Sequence, residues 1–171
     1  MNKILISGKR CTGKTTLFWD LQKYLGWPMF SVGQYLRDYI HRHHLTGFDV
    51  DEKSKEVSID IDSRINALLL GPDRVVIEAR IFGLIERVYP NTLKILLVAS
   101  DGARIDRAAY REKSTSEQQI KKLIPKEDKW IEKIKNIYNR DDFFESKYYD
   151  VTLDTTSMTP EDVMHKVISL L

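Results

Sequence analysis

The chain has 171 residues, 42% of them hydrophobic, 30% charged and a net charge of +2. That length suits one domain with a proper core, and the near-neutral balance offers no bulk electrostatic case for binding nucleic acid or membrane. The single cysteine, Cys11, excludes an internal disulfide and fits a reducing compartment.

The first stretch, Lys3 to Ser7, is a short apolar run that reads as a buried strand. Gly8-Lys9-Arg10-Cys11-Thr12-Gly13-Lys14-Thr15 follows and fits the phosphate-loop pattern G-x-x-x-x-G-K-[ST] in full. A helical pattern comes next, with Leu17, Phe18, Leu21, Tyr24 and Leu25 on one face. Strand, glycine loop and helix form the context that this motif requires. Glycines let the backbone approach phosphate oxygens, and successive N–H groups then point at the anion. The loop from Gly8 through Cys11, Thr12, Gly13, Lys14 and Thr15 to Thr16 is therefore expected to hold a nucleoside triphosphate. In this geometry Lys14 bridges the outer phosphates and the Thr15 hydroxyl ligates Mg²⁺.

Gly26-Trp27-Pro28 ends the first helix, and Met29 to Val32 reads as a short second strand. Gly33 opens a helix through about His43, striped by Tyr35, Leu36, Tyr39 and Ile40. Leu45 to Glu52 reads as a loop around Gly47. The pattern then predicts a helix from Asp51 to Leu70, with Val57, Ile61, Ile65, Leu68 and Leu69 inward. A turn at Gly71-Pro72-Asp73 leads to a strand over 74–80, followed by a short helix expected over Ile81 to Tyr89. Thr92 to Ala99 is another buried strand.

Ser100-Asp101 caps a helix that carries Arg104, Arg107 and Arg111 on one side, by spacings of three and four. Ser114 to Tyr138 is polar and helical, with a thin seam of Ile120, Leu123, Ile124, Ile131 and Ile134. Asp150 to Asp154 is the last strand. Thr159, Pro160 and Asp162 start the terminal helix as cap, first residue and capping partner.

Five strands alternating with helices predict a three-layer α/β/α sandwich of the P-loop NTPase class, with a parallel sheet in the order 2-3-1-4-5. The site falls at the carboxyl ends of the strands. There Ser31, Arg37 and Arg80 converge beside the loop, and arginine is suited to bidentate capture of a second phosphate. Taken singly, each of these arginines also reads as an ordinary surface or salt-bridge residue.

These residues resemble a known family. Four segments are similar to nucleoside monophosphate kinases, above all to short archaeal-type cytidylate kinases. They are Gly8 to Thr16, Ser31 to Arg37, Val76 to Arg80, and Asn136 to Tyr138 together with the closing stretch from Asp141-Asp142 to Thr155. The resemblance implies a single kinase domain over 1–171, with a core of 1–111 and 143–171 and a helical lid over about 112–142. It implies that Ser31, Arg37 and Arg80 hold the acceptor monophosphate, CMP or dCMP, with Lys126 and Lys133 of the lid. Lys14, Arg80, Arg107 and Arg111 carry the phosphoryl transfer, and Glu78 joins Thr15 at Mg²⁺. Glu78 also reads as a buried partner of Lys14 or Arg80.

The chain departs from the family pattern in the lid. Lysines stand at Lys126 and Lys133 where arginine is expected, and Trp130 falls where an aspartate helps to read cytosine. Ala79 replaces the glycine before Arg80. Asp60 and Arg64 read as a surface pair or as part of a base pocket. An adenylate kinase, another small-molecule P-loop kinase and an ATP-binding regulatory protein with weak turnover are the alternative readings. With no leader or long apolar span in view, the expectation is a cytoplasmic monomer whose partners are ATP and a monophosphate.

Overall fold

The computed structural model describes residues 1–44 and 54–171, so the loop expected at Leu45 to Glu52 lies outside the described residues. The elements in chain order are β1 (Lys3–Ser7), α1 (Lys14–Leu25), β2 (Met29–Ser31), α2 (Val32–Arg42), α3 (Ser54–Leu70), β3 (Val75–Glu78), β4 (Thr92–Val98), α4 (Asp101–Glu112), α5 (Ser116–Tyr138), a short 3-10 helix (Ser146–Tyr148), β5 (Val151–Asp154) and α6 (Pro160–Ile168). The strands form one parallel sheet in the order β2-β3-β1-β4-β5, as the alternation of patterns predicts.

Strand side chains alternate between faces, so each face builds its own core. On one face Leu5, Ile77 and Leu96 pack with Val57, Ile61, Ile65 and Leu69 of α3. On the other, Ile4, Ile6, Val76, Ile95 and Leu97 pack with Leu17, Phe18 and Leu21 of α1 and with Val163 and Val167 of α6. Each fully buried aliphatic side chain, Leu21 and Ile65 among them, contributes about 2 kcal/mol of transfer free energy. Together they fix the helices over the sheet, and the loops at its carboxyl edge meet as a consequence.

The structure moves several expected boundaries. Val32 opens α2 instead of closing β2, because the Ser31 hydroxyl accepts the Gln34 N–H at 3.3 Å and caps the helix. Ile81 to Tyr89 forms turns, not a helix. Its backbone is satisfied from elsewhere. The Asp62 carboxylate accepts the Gly83 N–H at 2.9 Å, and the Lys94 ammonium donates to the carbonyls of Ile85 and Arg87 at 3.0 and 3.3 Å. Tyr24, in the last turn before the left-handed Gly26, stays in solvent, as an amphipathic phenol can. Ile120 is exposed too. The α4–α5 contact is filled there by Gln119, buried and donating to Glu112 and Ser114.

Candidate active site

The loop between β1 and α1 turns on three left-handed residues, Gly8 (φ 145), Cys11 (φ 61) and Gly13 (φ 95). Gly8 also has no room for a side chain: a Cβ would lie 2.2 Å from the Leu97 carbonyl oxygen. Its N–H donates to the Arg80 carbonyl at 3.2 Å, tying the loop to the exit of β3. Within the loop, the Thr12 hydroxyl and the Lys14 ammonium both donate to the Lys9 carbonyl, at 3.0 and 2.7 Å. Lys14 is buried, and loss of hydration pulls its pKa down to about 8 against the opposing pull of Glu78.

Two cavities flank Lys14. The first, about 350 Å³, lies along residues 11–17 and is closed by Arg107, Thr155 and the start of α6. The second, about 520 Å³, is bounded by Arg37, Glu78, Arg80, Trp130 and Lys133. Cys11, Lys14, Thr15 and Arg111 line both, so the lysine and the arginine stand where the two spaces meet.

At that junction Glu78 accepts the Thr15 hydroxyl at 2.9 Å and the Ser31 hydroxyl at 2.8 Å, linking α1, β3 and β2. It pairs through these hydroxyls and not, as one reading had it, by a direct bond to Lys14 or Arg80. Arg37 stands exposed on the wall of the second cavity and donates to Gln34 at 2.9 Å. Arg80 lies with its guanidinium carbon 4.2 Å from the centroid of the Trp130 ring. Burial first, then repulsion from Arg10 and Arg104, lowers its pKa to about 9. A guanidinium held in such a cationic surrounding favours an anion beside it.

The three arginines of α4 do not share one fate. Arg104 is buried at 2% exposure and forms no part of a cationic surface. It pairs with the buried Glu127 of α5 and with Asp101 at 2.6 Å, and donates to the Arg10 carbonyl at 2.8 Å. Glu127 in turn accepts the Arg10 N–H at 3.3 Å, so this ion pair fastens α5 to the phosphate loop. Arg107 donates to the Cys11 carbonyl at 3.2 Å and to the Thr155 hydroxyl at 3.1 Å, and also meets the Thr155 carbonyl. The Thr155 hydroxyl reaches the Thr12 carbonyl at 3.0 Å. Arg111 is exposed, Lys126 is exposed and lines neither cavity, and Thr16 lines only the first. The Asp60–Arg64 pair is a surface bridge of 2.9 Å, also outside the second cavity.

Sequence reasoning missed Thr155, Glu127 and the Asp62–Tyr138 pair. The last two lie in long polar helices, where nothing in the local pattern separates a buried acid from an exposed one. Thr155 follows the last strand and carried a weak signal, since strand ends face the site.

A five-stranded parallel sheet with a glycine loop after its first strand, the loop lysine at the junction of two cavities and arginines on the far wall defines a P-loop kinase. Residues 6–157 match the cytidylate kinase-like family, and the chain belongs to it. It is an ATP-dependent nucleoside monophosphate kinase of that family. A cytidylate kinase of Methanosarcina acetivorans is 28% identical over 157 residues, which cover 90% of this chain and 87% of that one. Among solved structures, an uncharacterized protein from Eubacterium ventriosum superposes with a TM-score of 0.73 at 17% identity, covering 99% of this chain and 98% of the other. A shikimate kinase from Acinetobacter baumannii, in complex with shikimate, does so at 0.59 and 16% identity, covering 99% and 92%. These likenesses carry the fold.

Proposed function

We propose that the protein transfers the γ-phosphoryl group of ATP to CMP or dCMP. One observation carries this reading: Lys14 is shared by two cavities, one floored by the phosphate loop and the other walled by Arg37 and Arg80. The triphosphate lies along residues 11–16 and the monophosphate against the two arginines, so donor and acceptor meet at Lys14.

An acceptor phosphate oxygen is a competent nucleophile at neutral pH. It attacks the γ-phosphorus, the bond from that phosphorus to the β,γ-bridging oxygen breaks, and ADP leaves. No covalent enzyme intermediate is needed. Catalysis reduces to alignment and charge neutralisation. Lys14 and Arg111 neutralise charge between the two phosphates, and Arg107 holds the loop backbone in place. Arg80, Arg37 and Ser31 hold the acceptor, with Lys133 on the lid side.

The Thr15 hydroxyl and the Glu78 carboxylate are hard oxygen donors 2.9 Å apart, a set that suits Mg²⁺ with nucleotide phosphates as its further ligands. When bound, the ion draws charge from the phosphates. Residues 112–142 act as the lid that keeps water from the phosphoryl group.

The test is ADP release measured over the four common ribonucleoside monophosphates. Turnover with CMP supports the reading. Turnover with AMP alone makes the protein an adenylate kinase, and ATP binding with no acceptor-stimulated turnover makes it a regulatory protein.

A further inference from the structure

The phosphate loop follows β1 at the centre of the sheet, and Thr155 follows β5 at its edge. The two meet although 143 residues separate Thr12 from Thr155. Thr155 is 2% exposed and lines the first cavity. Its hydroxyl lies 3.0 Å from the Thr12 carbonyl and 3.1 Å from the Val98 carbonyl, and it accepts an Arg107 N–H at 3.1 Å. The same Arg107 nitrogen reaches the Cys11 carbonyl at 3.2 Å.

A hydroxyl has one proton to give. Val98 already accepts the Thr155 backbone N–H at 2.8 Å, so the balance of donors and acceptors assigns that proton to Thr12. Arg107, Thr155 and Thr12 then form a short chain in which each bond polarises the next. Between them, Arg107 and Thr155 hold two successive carbonyls of the loop, those of Cys11 and Thr12. The backbone here is one that local preference does not fix, because Thr12 sits between the left-handed Cys11 (φ 61) and Gly13 (φ 95). A trans peptide unit is planar, so its C=O and N–H point in opposite directions. Fixing the Cys11 carbonyl therefore fixes the Thr12 N–H, and fixing the Thr12 carbonyl fixes the Gly13 N–H.

We infer that Thr155 is a positioning residue for ATP: through the Thr12 carbonyl its hydroxyl presets the Gly13 N–H as a donor to the phosphates, beside the Thr12 N–H that Arg107 sets. This rests on reading the first cavity as the triphosphate site. Thr155 itself touches no reacting atom. Donors aimed beforehand need no reorganisation when the anion arrives. Without the hydroxyl, the loop must order these planes on binding, and that cost is subtracted from affinity. A residue that merely closed the end of β5 would act through its methyl group and its backbone, and both survive in valine.

The experiment is the Kd for ATP, by titration calorimetry, of the wild-type protein, Thr155→Val and Thr155→Ser. Valine keeps the shape and loses the hydroxyl; serine keeps the hydroxyl and loses the methyl. The expected result is an ATP affinity about tenfold weaker in Thr155→Val, the size of one net hydrogen bond, and within about threefold of wild type in Thr155→Ser. An unchanged Kd in Thr155→Val overturns the proposal with the triphosphate site intact. Equal weakening in both variants also overturns it, because packing would then be the cause. If the wild-type protein does not bind ATP, the reading of the cavity fails and this inference falls with it. Should Thr155→Val not fold, the wild-type protein crystallised with a non-hydrolysable ATP analogue decides. The Gly13 N–H within about 3.2 Å of a phosphate oxygen, with Thr155 still bonded to Thr12, supports the assignment. A phosphate out of reach of that N–H, or a broken Thr155–Thr12 bond, removes it.

Discussion

The Trp130 indole lies against the Arg80 guanidinium, 4.2 Å from ring centroid to guanidinium carbon. An aromatic face beside a partly buried cation offsets part of its lost hydration and fixes the plane of the fork without consuming an N–H donor. All donors thus stay available to an oxyanion. Trp130→Ala is expected to raise KM for the acceptor about three- to tenfold, the equivalent of about 1 kcal/mol, with kcat changed less. Trp130→Phe recovers part of the loss. Steady-state kinetics at saturating ATP checks this, and an unchanged acceptor KM would detach Trp130 from the site.

Lys14 presents a conflict between stability and function. Its pKa falls to about 8 in the folded protein from an ordinary 10.5. Between those values the unfolded chain binds more protons, so stability without nucleotide rises as pH rises from about 8 toward 10.5. Below 8 both states are protonated and the cost of burying the charge is present in full. Lys14→Met removes that cost and is expected to gain up to about 3 kcal/mol at pH 7, at about 1.4 kcal/mol per pH unit, while abolishing turnover. Urea denaturation at pH 7 and pH 10 reads both effects, and the gain shrinks at the higher pH.

Arg104 and Glu127 are buried together, 2% and 3% exposed. Removing one partner strands the other. Glu127→Ala is expected to cost about 3 kcal/mol, moderated by the Asp101 carboxylate that Arg104 keeps. The double replacement Arg104→Met with Glu127→Leu should restore most of that stability, because a well-packed apolar pair matches a buried ion pair. It should still weaken ATP binding, since the Arg10 backbone loses both contacts. Chemical denaturation and nucleotide titration separate the two.

The two loop glycines are distinguishable by substitution. At Gly13 a Cβ meets nothing within 4 Å, so Gly13→Ala carries only the cost of a left-handed alanine, about 1–2 kcal/mol. At Gly8 the same atom collides with the Leu97 carbonyl. Gly8→Ala should therefore lower the melting temperature more and abolish ATP binding. Equal effects would show that Leu97 yields.

The order of the sheet, the phosphate loop and the positions of Ser31, Arg37, Glu78 and Arg80 were legible from the sequence, because each rests on local periodicity or on a motif bound to a strand end. The burial of Arg104, the pairing of Glu127, the stack of Trp130 on Arg80 and the pairing of Asp62 with Tyr138 were not. Asp62 and Tyr138 are 76 residues apart, Arg104 and Arg10 are 94 apart, and local spacing carries no record of such meetings. A polar residue on a polar helix looks the same whether it faces water or another helix. Only the packing of α5 across the loop decides which of these charges is desolvated and what it then holds.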